Sequence, residues 1–123
     1  MIKPKKKLIK LTEEERASFI NTIDYLTDLA NVARTKGILY LSEYLEEHED
    51  NFTKKYLKIM IDDCVFEAAK LKRMMQNEIK SYSDLTTADL HEFDMIIEAI
   101  LMITKGGSPK IIQDKMLTYL NET

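Results

Sequence analysis

Two histidines, one cysteine and a pair of adjacent aspartates are the side chains best placed to do chemistry, and their surroundings decide what chemistry that is. His48 sits in the acidic run Glu46-Glu47-His48-Glu49-Asp50. Neighbouring carboxylates can raise the pKa of a histidine or hold a hard cation loosely. A calcium loop, however, needs oxygen ligands at fixed spacing and usually a glycine at its sharp turn. This run has neither, so it reads as a solvated helix end. His91 is the other histidine, and neither belongs to an HExxH pair. Asp62 and Asp63 are consecutive, so on a helix they diverge instead of forming an acid/base pair; they read as cap or turn residues. Cys64 is the only cysteine, which excludes an internal disulfide and a cysteine metal cluster. With no histidine near it in sequence, it reads as a small buried apolar residue. Gly106-Gly107-Ser108 lacks the lysine and the spacing of a phosphate-binding loop. The sequence therefore predicts a protein that is not an enzyme and holds no cofactor or metal, so function is expected on its outer faces.

The composition fits that expectation. The chain has 123 residues, 45% apolar and 32% charged, which suits one globular domain with a heavily solvated exterior. Three Gly, two Pro and no Trp argue for a few long elements over many short strands. A net charge of −3 argues against a general nucleic-acid binder. Lys3, Lys5, Lys6, Lys7 and Lys10 nevertheless form a cationic head. It reads as a solubilising flexible tail over residues 1–11, with attraction to anionic lipid or an acidic partner as the alternative. Residues 12–123 read as a single helical bundle domain. No apolar run approaches the roughly 20 residues that cross a bilayer; the best stretch, 95–104, is broken by Glu98. A lone cysteine and a basic N-terminus without an apolar signal core point to the cytoplasm.

The elements follow from periodicity. Thr12 and Glu15 have capping-box spacing, and Glu13, Glu14 and Glu15 complement a helix macrodipole. Phe19, Ile23, Leu26, Ala30, Ala33, Gly37, Leu41, Tyr44 and Leu45 then form one stripe, predicting a long helix or two helices nearly in line. Ala30, Ala33 and Gly37 leave a trough for another helix, from this chain or a second copy. Gly37, which costs about 1 kcal/mol relative to Ala in a helix interior, marks a packing site or a break. Asp50 or Asn51 caps a second helix bearing Phe52, Tyr56, Ile59 and Met60. The pattern hesitates at Asp62-Asp63, predicting a turn or kink, and resumes with Val65, Ala68, Ala69, Lys72, Met75 and Ile79. Thr86 or Thr87 opens the most apolar helix, carrying Leu90, Phe93, Ile96, Ile97, Ile100, Leu101 and Ile103, the expected centre of the core. Gly106-Gly107 stops it, and Ser108-Pro109 starts a last helix burying Ile111, Ile112, Met116, Leu117 and Leu120. The expected fold is all-α, a compact bundle of about four to five helices with the first one long. The methionines read as core gap fillers and most tyrosines as edge-of-core residues, a few of them free to anchor an interface.

Two segments also carry a resemblance. Leu29-Ala30-Asn31-Val32-Ala33-Arg34-Thr35-Lys36-Gly37-Ile38-Leu39-Tyr40-Leu41 resembles the cytoplasmic motif of the MotA family, the stator subunit of the bacterial flagellar motor. The stretch from Gly106-Gly107-Ser108-Pro109 to Leu120 is similar to the MotA tail, and residues 50–79 between them resemble the helical part of its large cytoplasmic loop. The family's four transmembrane helices are missing, so the resemblance implies a cytoplasmic module with no ion conduction of its own. It implies a protein partner, either a rotor or stator component of the motor, with a homodimer as a further possibility. Arg34 falls at the position of the family's rotor-contacting arginine. The family's glutamate position falls at Ser42, with Glu43 beside it. The candidate partner-binding residues are Arg34, Lys36, Tyr40 and Glu43, with Leu39 or Tyr40 as apolar anchor. A stator-like module is expected to pack the 108–120 helix against the first helix. The alternative is an unrelated small helical regulatory or accessory binding protein.

Overall fold

A computed structural model describes residues 10–63 and 67–120. Helix α1 (Glu13–Lys36) begins where the capping box places it: the Glu15 amide donates to Thr12 Oγ1 at 3.1 Å, and the Thr12 amide donates to Glu15 Oε1 at 2.9 Å. It buries Phe19, Ile23, Leu26, Leu29 and Ala30. Leu11, just ahead of the cap, is also buried. Gly37 ends the helix with φ +95°, a backbone that L side chains rarely adopt. Its amide donates to the Ala33 carbonyl at 3.1 Å, while its own carbonyl accepts from Leu41 at 3.0 Å and opens α2 (Ile38–Glu46).

The chain does not continue in line, as the unbroken stripe predicts; it folds back. Tyr44 donates to Asp28 at 2.6 Å, and the Tyr25 and His48 rings lie 5.7 Å apart, so α2 runs antiparallel along the second half of α1. The periodicity survives because both helices point the same stripe at the core, and only the sign of φ at Gly37 reverses the direction. Gly37 is a break: a Cβ there would meet nothing within 4 Å.

Asn51 caps α3 (Phe52–Asp62) by accepting from the Lys54 amide at 2.8 Å. The hesitation at Asp62-Asp63 is a full boundary, after which α4 (Ala68–Ser81) forms a separate helix. A second capping box, Thr86 with Asp89, starts α5 (Thr87–Thr104). This helix touches α1, α3, α4 and α6 and is the axis of the bundle, with Met95, Ala99 and Ile100 wholly buried. Its end is a Schellman motif: the Gly107 amide reaches the Met102 carbonyl and the Gly106 amide the Ile103 carbonyl, both at 3.0 Å, with Gly106 at φ +77°. Pro109 then opens α6 (Pro109–Leu117), which ends in a short 3-10 turn over Thr118–Leu120.

Helix α6 packs along α1 in the opposite sense. Arg16 donates to the Leu120 carbonyl at 3.0 Å near one end, and Arg34 to the Gly106 carbonyl at 3.1 Å near the other. The fold is all-α, and no strand occurs among the described residues. The described residues form six α-helices against the expected four to five, because Gly37 and the boundary after Asp62 each split a predicted element. Three residues expected inside lie outside: Leu90 is 46% exposed, Ile111 61% and Leu117 42%. In α6 a single stripe, Ile112 and Met116, faces α1 and α5, and nine residues offer no second buried face. Met75, Met95 and Met116 fill the core as predicted, whereas Met74 is exposed. No helix among the described residues is long and apolar enough to cross a membrane.

Candidate functional site

The turn between α1 and α2 lays three consecutive apolar residues against solvent. Leu41 and Leu45 take α2's inward side and are fully buried, which leaves Ile38 42%, Leu39 81% and Tyr40 45% exposed. Arg34 and Lys36 stand on the α1 side of the same turn. Lys36 Nζ lies 5.4 Å from the centre of the Tyr40 ring, within cation–π range. Glu43, also exposed, follows one helical turn after Tyr40. The fold thus gathers Arg34, Lys36 and Tyr40 at one end of the bundle, with Glu43 further along α2.

Arg34 has a task that the sequence did not reveal. Its guanidinium holds the Gly106 carbonyl, tying the end of α1 to the α5–α6 turn. Beside it an open hollow of about 370 Å³ is lined by Ala30, Ala33, Ile38, Ile103 and Gly107. A smaller one, about 170 Å³, lies between Ile38, Leu57, Met60, Ile61 and Ile103. The Ala30–Ala33 trough therefore faces the end of α5 within the same chain.

Both histidines are spent on packing. A ring nitrogen that meets a carbonyl must carry the proton, so His48 Nδ1 donates to Tyr44 O at 2.7 Å, with its ring against Tyr25 and Tyr44. Lys54 fixes the same corner, donating to the His48 carbonyl at 2.9 Å and pairing with Asp50 at 3.1 Å. His91 Nε2 donates to Tyr119 O at 2.9 Å, its ring near Phe19 and Tyr119. Its neighbours Asp94 and Glu98 line an open hollow of about 700 Å³, with Lys72 and Gln76 opposite. There Glu98 accepts from the Tyr119 hydroxyl and pairs with Lys115 at 3.5 Å. Burial first, and then the Glu98 hydrogen bond, push the Tyr119 hydroxyl up, so it stays a donor. No group of acids, histidines and cysteine able to hold a metal occurs among the described residues. Cys64 and most of the lysine-rich head lie outside them.

A hub missed in the sequence joins α3 to α4. The Glu78 carboxylate accepts from Lys55 and Tyr56, each at 2.6 Å, and from the Tyr82 hydroxyl. Burial alone would raise its pKa, but the donors Lys55, Tyr56 and Tyr82 hold it down to about 2. The same contact pushes Tyr82 up to about 12, with burial second. The signal available in sequence was slight: Glu78 is the only acid within α4.

Fold and surface together define an all-α bundle domain with an apolar turn laid bare at one end. Compared with protein-family models, with curated proteins and with solved structures, the chain finds no match.

Proposed function

We propose that this protein is a detached, MotA-like cytoplasmic module that acts by binding another protein through the α1–α2 turn, with no ion conduction of its own. The exposure of Ile38, Leu39 and Tyr40 carries the reading. Three adjacent apolar side chains in water are a liability that a partner relieves. Lys36 and Arg34 on one flank and Glu43 on the other supply charges of both signs to orient that partner. The packing of α6 along α1 supports the stator-like reading, since that arrangement is the one its two resembling segments require. The partner so implied is a rotor or stator component of the flagellar motor. An unrelated helical accessory protein would use the same surface toward a different partner.

Leu39→Asp tests the site cleanly. Its side chain is 81% exposed, so the substitution leaves the core intact. Capture from the native host with the intact chain and this variant compared is expected to lose the partner, with melting temperature and helicity unchanged. Equal capture by both proteins removes the turn as the binding site. Arg34→Glu is the poorer probe, because it also cuts the bond to Gly106.

A further inference from the structure

Helix α4 differs from its neighbours in how its charges are left. Its inward stripe, Leu71, Met75 and Ile79, is buried, and the helix packs on α5. Its one carboxylate, Glu78, is drawn toward α3 by Lys55 and Tyr56. The outer side then carries Lys72, Arg73 and Lys80, all exposed, with neutral Gln76 and Asn77 between them. Five other lysines pair with acids, Lys54 with Asp50, Lys55 with Glu78, Lys58 with Glu46, Lys110 with Asp114 and Lys115 with Glu98, while Lys36 and Lys105 stand singly on other elements. Lys72, Arg73 and Lys80 have no such ion pair among the described residues. The positions four residues on from Lys72 and Arg73, where an acid would relieve the repulsion, hold Gln76 and Asn77. This is a helix kept cationic on its outer face in a chain whose net charge is −3.

We infer that the outer face of α4 docks on a surface of acidic phospholipid. A lipid surface accepts dispersed cations without demanding a fixed partner geometry, and no acid of α4 stands among Lys72, Arg73 and Lys80, the nearest being Asp94 and Glu98 of α5 across the hollow beside Lys72. Met74 and Tyr82, both partly exposed, border it and can rest among headgroups. The apolar stripe is committed to α5, so attachment is by charge without insertion and weakens as salt rises. Nucleic acid fits less well, because no aromatic ring lies between the cations to stack on a base and the remainder of the chain is acidic.

Co-sedimentation of the full chain with phosphatidylcholine vesicles, with and without phosphatidylserine, tests the inference. The intact protein is expected to bind only the vesicles containing phosphatidylserine and to be released by added salt. A triple variant, Lys72→Gln, Arg73→Gln and Lys80→Gln, is expected to bind on the order of a hundredfold less, from about 1 kcal/mol per cation, with unchanged helicity. A variant with Lys3, Lys5, Lys6 and Lys7 changed to Gln is the comparator. Absence of binding, equal binding to both vesicles, or loss of binding only in the comparator overturns the role of α4. Binding to duplex DNA or polyglutamate as tight as to the acidic vesicles also overturns it, in favour of a general anion site.

Discussion

Replacing Glu78 with Ala should unfasten α3 from α4, and the structure sets the size of the effect. The Tyr56 side chain is buried, at 2% exposure for the residue, and its hydroxyl is 2.6 Å from the carboxylate, with only a 3.5 Å contact to Met74 O otherwise. Stranding such a donor costs about 1–3 kcal/mol. Lys55 is 57% exposed in its side chain, so its pair with Glu78 is screened by solvent and adds well under ~1 kcal/mol. The sum is about 1–4 kcal/mol, a fall of roughly 5–15 °C in melting temperature for a domain of this size. The pH dependence follows from Glu78 being held down to about 2 in the folded protein, against about 4.3 in an unfolded chain. A carboxylate with a lowered folded pKa stabilises above its unfolded pKa, and that contribution is lost as pH falls from about 4 through 2. Urea melts of the intact protein and of Glu78→Ala, followed by circular dichroism, should therefore show a gap at neutral pH that narrows in this acid window. Glu78→Gln should recover the part owed to Tyr56, since an amide oxygen still accepts. A gap of under about 0.5 kcal/mol, or one that stays constant into acid, would refute the hub.

Other outcomes follow from single contacts. Thr27 Oγ1 is buried without a hydrogen-bond partner, so Thr27→Val should stabilise the protein by about 1 kcal/mol in a denaturant titration. Gly106→Ala should destabilise by about 1 kcal/mol because of its positive φ. Gly107→Ala should destabilise for a different reason, the Met102 carbonyl 3.0 Å from the new Cβ, and thermal melts should register both losses. Met95→Ala, at the wholly buried centre of α5, should cost about 2–5 kcal/mol in the same assay.

Much of the architecture was readable from local chemistry. Thr12 with Glu15, Asn51, Thr86 and the Gly106-Gly107-Ser108-Pro109 step each fixed a helix boundary, because caps are satisfied by residues within one turn. The direction of α2 was not readable. Gly37 allows both continuation and reversal, and the choice rests on contacts such as Tyr44 with Asp28 that no periodicity records. Ile111 and Leu117 misled because apolar type says what a position tolerates, whereas burial depends on how many neighbours surround a short helix. At the candidate turn, the exposure of Leu39 was implicit in its place off the stripe of Leu41 and Leu45. The grip of Arg34 on Gly106, 72 residues away, was visible only in three dimensions.

The bond from Arg16 to the Leu120 carbonyl joins positions 104 residues apart. A molecule closed in this way cannot loosen one terminus and keep the other, for peeling away the last helix uncovers the stripe of the first. Amide protons of α1 and α6 should therefore exchange with deuterium in a single cooperative opening, and shortening the C-terminal end should weaken the bundle throughout its length.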